Sequence, residues 1–175
     1  MELKHIVQLA ALSGTCFAML ADAQVPATVP HSQSDYSLTI RANPAEAKVG
    51  SEVRIMVTVR NISDHPVGIL VPMKNLDDAV FYYKTYVREE DGALLPETQQ
   101  GRKVRTGKGE HGEDVVTVSS DLERILMPGG IQTHQILLNR LFEFRKPGKY
   151  SVELDRDDGA GRIAKSNIVT ITITN

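Results

Sequence analysis

Two tyrosines open the chemical reading of this chain. Tyr82 and Tyr86 stand four residues apart in residues 80–89, where a second set, Phe81, Tyr83, Thr85 and Val87, alternates toward an inner face. In an extended strand that spacing puts both rings on the opposite face, about 13 Å apart. Aromatic rings in such a row stack on sugar rings or on a partner's aromatic and proline residues. The competing reading packs them beneath a neighbouring segment, and residues 97–114 are at hand to cover them. That segment carries the second candidate, the basic cluster of Arg102, Lys103, Arg105 and Lys108. It would contact an acidic partner, unless Glu110, Glu113 and Asp114 balance it in solvent.

Other chemistry fails on spacing. A phosphate-binding loop needs four residues between its glycines and Ser or Thr after its lysine. Here Gly101 and Gly107 enclose five residues, Gly109 follows Lys108, and no helix is expected beyond it. Asp155, Asp157 and Asp158 begin like a calcium loop, but Gly159 stands where a third alternating acid belongs and no later acid closes the shell. A β-turn at Asp158-Gly159 explains the pattern without metal. His31, His65, His111 and His134 have no zinc-ligand spacing. There is no Gly-x-Ser-x-Gly elbow, and the only cysteine, Cys16, precedes the folded region. No catalytic, cofactor-binding or metal-binding residue is therefore assigned, and an enzyme is the most distant reading. Asn61-Ile62-Ser63 matches the N-glycosylation sequon, which counts only in a eukaryotic secretory pathway.

The beginning of the chain bears on where this chemistry would operate. Residues 1–5 carry one lysine, residues 6–20 are mostly apolar and uncharged, and Ala21-Asp22-Ala23 is a small-x-small cleavage pattern. This reads as a cleavable secretory leader over 1–23, with Gln24 as the mature start. Its apolar run is shorter than the ~20 residues a membrane span needs. Ser13 and Thr15 stand where a lipobox would place Leu and a small residue, so Cys16 reads as part of the leader rather than a lipid anchor. Of 175 residues, 152 then remain, enough for one domain that folds on its core without disulfides. The mature part holds 19 bases and 20 acids, a balance that argues against nucleic acid or an anionic membrane as partner.

The mature chain is written in short strands. Residues 24–34 are Pro- and Ser-rich, a flexible arm. In residues 51–60, Val53, Ile55, Val57 and Val59 alternate with Glu52, Arg54, Thr58 and Arg60, the period of a half-buried strand. Leu38 and Ile40 repeat the pattern until Asn43-Pro44 breaks it. Residues 66–71, 80–89, 115–119, 131–138, 149–155 and 169–174 follow, with Asp91-Gly92 turning a hairpin back through 93–95. Only residues 122–126 and 139–144 read as short helical turns, and residues 97–114 as a long mobile loop. About seven to nine strands at turn spacings near ten residues predict an all-β, antiparallel immunoglobulin-like sandwich over 35–175; no crossover helices are present for a parallel sheet.

Four segments carry a family likeness. Val59-Arg60-Asn61-Ile62-Ser63-Asp64-His65-Pro66-Val67 resembles the opening of bacterial Ig-like domains, and Val87-Arg88-Glu89-Glu90-Asp91-Gly92 their central hairpin. Leu126-Met127-Pro128-Gly129-Gly130 resembles their L-x-P-G-x turn, and Lys146-Pro147-Gly148-Lys149-Tyr150-Ser151-Val152 the P-G-x-Y-x-V that opens the penultimate strand. Across residues 36–174 the chain resembles uncharacterised secreted bacterial proteins of this design and, more distantly, the BsuPI-type proteinase inhibitors. Tyr150, after the Pro147-Gly148 turn, is placed to bury its ring and return its hydroxyl to an upstream backbone group, a tyrosine corner. The leading expectation is a secreted or periplasmic module binding a protein or envelope partner through loops or a free sheet edge. A proteinase inhibitor, with a rigid protruding loop, and a carbohydrate-binding module using Tyr82 and Tyr86 are the alternatives.

Overall fold

The computed structural model describes residues 34–72, 80–109, 111–114 and 121–175. The expected leader, all of the arm but Ser34, His31, Cys16 and the strand expected at 115–119 lie outside the described residues. In chain order the elements are β1 (Tyr36–Ala42), β2 (Glu46–Lys48), β3 (Arg54–Asn61), β4 (Val67–Pro72), β5 (Lys84–Arg88), α1 (Gln99–Thr106), β6 (Asp121–Leu126), β7 (Ile131–Leu137), β8 (Gly148–Asp157), β9 (Ile163–Lys165) and β10 (Val169–Thr174).

Alternating side chains build two facing layers. One is antiparallel, in the order β1-β3-β7, and aligns Ile40 with Val57 and Ile55 with Ile136. The other runs β2-β10-β8-β5, with β9 also paired to β8, and aligns Tyr150 with Ile171 and Val87 with Val152. Val53, Ile55, Val57 and Val59 are each at most 1 % exposed, as are Ile136, Val152, Leu154 and Ile171. Burying each such side chain stabilises the fold by roughly 1.5–3 kcal/mol. The fold is the expected all-β, immunoglobulin-like sandwich, with ten strands among the described residues. One pairing is parallel, three residues of β2 along β10.

Three local expectations are corrected. Residues 97–114 are not a long loop, because residues 99–106 form α1. Thr98 caps the helix, its hydroxyl accepting from the Gly101 N–H at 3.0 Å, and Gly107 ends it in the left-handed region at φ 65°. Gly101 faces the 3-10 turn at Leu138–Arg140 so closely that a Cβ would meet the Leu141 carbonyl oxygen at 2.0 Å. The glycine that reads as a loop residue is there for close packing. Residues 122–126 are strand rather than helical turn: β6 pairs with β4, Val67 opposite Leu126, and a run this short takes its conformation from the partner strand. Residues 80–82 are a 3-10 turn, so β5 begins only at Lys84.

Asn61 is 1 % exposed, and its side chain is committed. The amide donates to the carbonyls of His65 and Leu126 at 2.7 and 2.8 Å, while its oxygen accepts from the Ser63 N–H and hydroxyl. The sequon is thus a structural clasp joining the β3–β4 turn to the end of β6. Asn167 plays a similar part on β1, exchanging both of its amide bonds with the backbone of Ile40.

Candidate functional site

At the far end of β8 the inward parity that carries Tyr150, Val152 and Leu154 continues to Arg156. A guanidinium is thereby drawn into the edge of the core, with Arg156 only 5 % exposed. It donates to the Tyr83 hydroxyl and to the Leu70 carbonyl, both at 2.9 Å. The rings of Tyr83, Tyr82 and Tyr36 surround it, with centroids 5.2, 5.3 and 5.7 Å from its central carbon. Among the described residues no carboxylate forms an ion pair with it. Isolated burial of a charge costs several kcal/mol; here three aromatic faces offset it, each worth up to ~2 kcal/mol when desolvated.

Arg156 shapes its neighbours. His134 on β7 packs its ring against Tyr83 at 5.2 Å. Burial, reinforced by the Arg156 charge, pushes the His134 imidazole down to about 4, so it is neutral near pH 7. Its Nε2 is buried without a hydrogen-bond partner among the described residues. Burial pushes the Tyr36 phenol up to about 12 despite the opposing pull of Arg156, and the hydroxyl donates to the Asp157 carbonyl at 2.8 Å.

Beside this cluster opens a recess of about 400 Å³, walled by Tyr36, Phe81, Tyr82, Arg156, Asp157 and Asp158. Its lip is the β8–β9 hairpin. Asp157 Oδ1 accepts from the Gly159 N–H at 2.8 Å. Asp158 accepts from the N–H groups of Ala160 and Arg162 and from Arg162 Nε at 2.6 Å. Burial alone would raise the Asp158 carboxyl, but these backbone and guanidinium donors hold it below the usual range. The same Arg162 reaches Asp35 at 2.5 Å. Of the acids read as a calcium-like run, Asp157 Oδ1 is thus engaged in a turn and Asp158 in an ion pair with Arg162, while Asp155 Oδ1 is buried without a hydrogen-bond partner among the described residues. Among those residues no group of three His, Cys, Asp or Glu side chains could hold a metal.

The candidate residues are dispersed. Tyr82 joins the recess, whereas Tyr86 lies opposite Glu153 on the outer face of its sheet. The two do not form one stacking row, because the 3-10 turn at 80–82 breaks the two-residue period on which that row depends. Arg102, Lys103 and Arg105 sit on α1 beside the β7–β8 connection, at the opposite end of β8 from the recess. Arg105 there pairs with Glu97 at 2.8 Å. At that end Tyr150 is 3 % exposed, stacks edge-on with Phe144, and donates its hydroxyl to the Lys146 carbonyl at 2.7 Å across Pro147 and Gly148. His65 and His111 are exposed and lie apart from His134. Sequence reading missed Arg156, Tyr36, Tyr83 and His134; a charge at an inward position of β8 was the available signal.

Comparison with protein families and with curated proteins finds no match. Among solved structures the chain is similar to a β-glucosidase from Listeria innocua, at 13 % identity and TM-score 0.41, covering 81 % of this chain but 16 % of the glucosidase. It is also similar to the CARDB domain of a Pyrococcus furiosus protein, at 11 % identity and TM-score 0.40, covering 79 % and 92 % of the two chains. The C-terminal domain of wzt matches at 11 % identity and TM-score 0.42, covering 82 % and 75 %. Among the described residues no helix is long and apolar enough to cross a membrane.

Proposed function

We propose that this chain is an exported, non-catalytic immunoglobulin-like module that binds a component of the cell envelope in the recess beside Arg156. One observation carries the reading. The sandwich buries a guanidinium at its edge and keeps an aromatic-walled space of about 400 Å³ open next to it. Concave, largely apolar sites with a few convergent polar groups are where ligands bind. The leader over residues 1–23 supports export, and the commitment of Asp158, Arg162 and Asn61 to structure supports a binding rather than a reacting site.

The protein expressed with its own leader is expected in the exported fraction with Gln24 as its first residue, as N-terminal sequencing would show. The exported protein should cosediment with isolated envelope fragments, and Phe81→Ala should reduce that at least several-fold while Arg102→Glu leaves it unchanged. Cosedimentation that follows Arg102 instead, or retention of the protein inside the cell, refutes the proposal.

A further inference from the structure

We infer that the Arg156 recess receives a neutral saccharide ring, an assignment that rests on the binding-module reading above and names its ligand class. The recess itself disfavours the other ligand classes. A cationic ligand finds the aromatic cage already filled, since Arg156 sits against the rings of Tyr36, Tyr82 and Tyr83. An anionic ligand meets Asp157 at the lip, and a guanidinium whose ends are bonded to the Tyr83 hydroxyl and the Leu70 carbonyl. A purely apolar ligand would strip water from Asp157 and from the guanidinium edge without replacing their hydrogen bonds, which costs about 1–3 kcal/mol per group.

A sugar ring satisfies all three surfaces. Its C–H face packs on the aromatic wall of Phe81 and Tyr82. Its hydroxyls both donate and accept: Asp157 offers the carboxylate oxygen not engaged by Gly159, and Arg156 has donors beyond the two it already uses. This site differs from a flat platform of Tyr82 and Tyr86, which the structure places on different surfaces.

The test uses the exported protein on an array of neutral and acidic glycans, followed by titration of the best neutral glycan by saturation-transfer NMR. Asp157→Asn carries the discrimination, because it keeps the Oδ1 acceptor for Gly159 while removing the charge. For a neutral sugar, loss of a charged acceptor should weaken binding about tenfold; for an anion, removal of repulsion should strengthen it. Phe81→Leu, which preserves apolar volume, should also weaken binding several-fold, and Tyr86→Phe should not change it. Unchanged thermal unfolding of each variant confirms that the recess is intact. Capture of acidic glycans only, or tighter binding by Asp157→Asn, overturns the saccharide assignment. So does recess-dependent binding of envelope fragments that excess neutral glycan does not displace, while leaving the module reading in place. Absence of any recess-dependent binding removes both.

Discussion

Tyr150 and Tyr36 are both 3 % exposed, and each donates its hydroxyl to a backbone carbonyl, at 2.7 and 2.8 Å. There the likeness ends. Tyr150 reaches four residues back to Lys146, across a Pro-Gly turn, and its ring meets Phe144. Tyr36 reaches 121 residues forward to Asp157 and lies against a buried guanidinium held by two other tyrosines. One end of β8 is locked by local turn chemistry with apolar packing. The other gathers a charge, a neutral imidazole and an open recess from β1, β4, β7, β8 and the residues 81–83 that precede β5. Uniform hydrophobic closure serves stability, whereas a polar edge retains groups that a ligand can use.

The sharpest way to break this contrast is Arg156→Ala. It leaves the Tyr83 hydroxyl and the Leu70 carbonyl without their donor and empties the tyrosine cage, so urea unfolding should show a loss of roughly 3 kcal/mol. Arg156→Met, which refills the volume, should recover part of that. Full recovery would mean that the charge contributes nothing to the fold.

A pH scan separates the two ends nearly as strongly. His134 falls from an ordinary value of 6.5 to about 4 on folding. As pH drops through this window the unfolded chain takes up its proton first. Stability present above about pH 6.5 should therefore decline toward pH 4, by about 3 kcal/mol in all. His134→Gln should flatten the profile over that range; an unchanged slope would place the titrating group elsewhere. Substitutions at the Tyr150 end should leave the profile intact.

At that second end, Gly101→Ala drives a Cβ into the Leu141 carbonyl oxygen, which is backbone and yields little. A loss of about 1–3 kcal/mol is expected from thermal unfolding. A neutral result would show that α1 sits loosely on its neighbour. The smallest effects are those of Tyr36→Phe and Tyr150→Phe, about 1 kcal/mol each. Combined with Arg156→Met, the first should be non-additive and the second additive, as a double-mutant cycle would record. Equal additivity would dissolve the distinction between the two tyrosines.

How much of this was legible follows from the range of the interactions. The run Val53, Ile55, Val57, Val59 announced β3 because parity along a strand is a property of adjacent residues. Pro147-Gly148-Lys149-Tyr150 announced the corner because its hydrogen bond closes over four residues. The Thr98 cap and the Gly107 stop of α1 were written in the chain, but Gly101 masked them, since its reason lies in Leu141, forty residues away. Residues 122–126 took strand form only because β4 offered a backbone to pair with.

The amino-acid sequence by itself determined the layers: alternation at a period of two decides which face of each strand is apolar, and apolar faces must meet. It also determined the Tyr150 corner. Only the tertiary structure decided the recess. Arg156, Tyr36, Tyr83 and His134 are separated by tens of residues along the chain, and an inward-facing arginine is tolerated or ruinous according to what surrounds it. That surrounding is a matter of which strand ends meet in space, which no local pattern encodes.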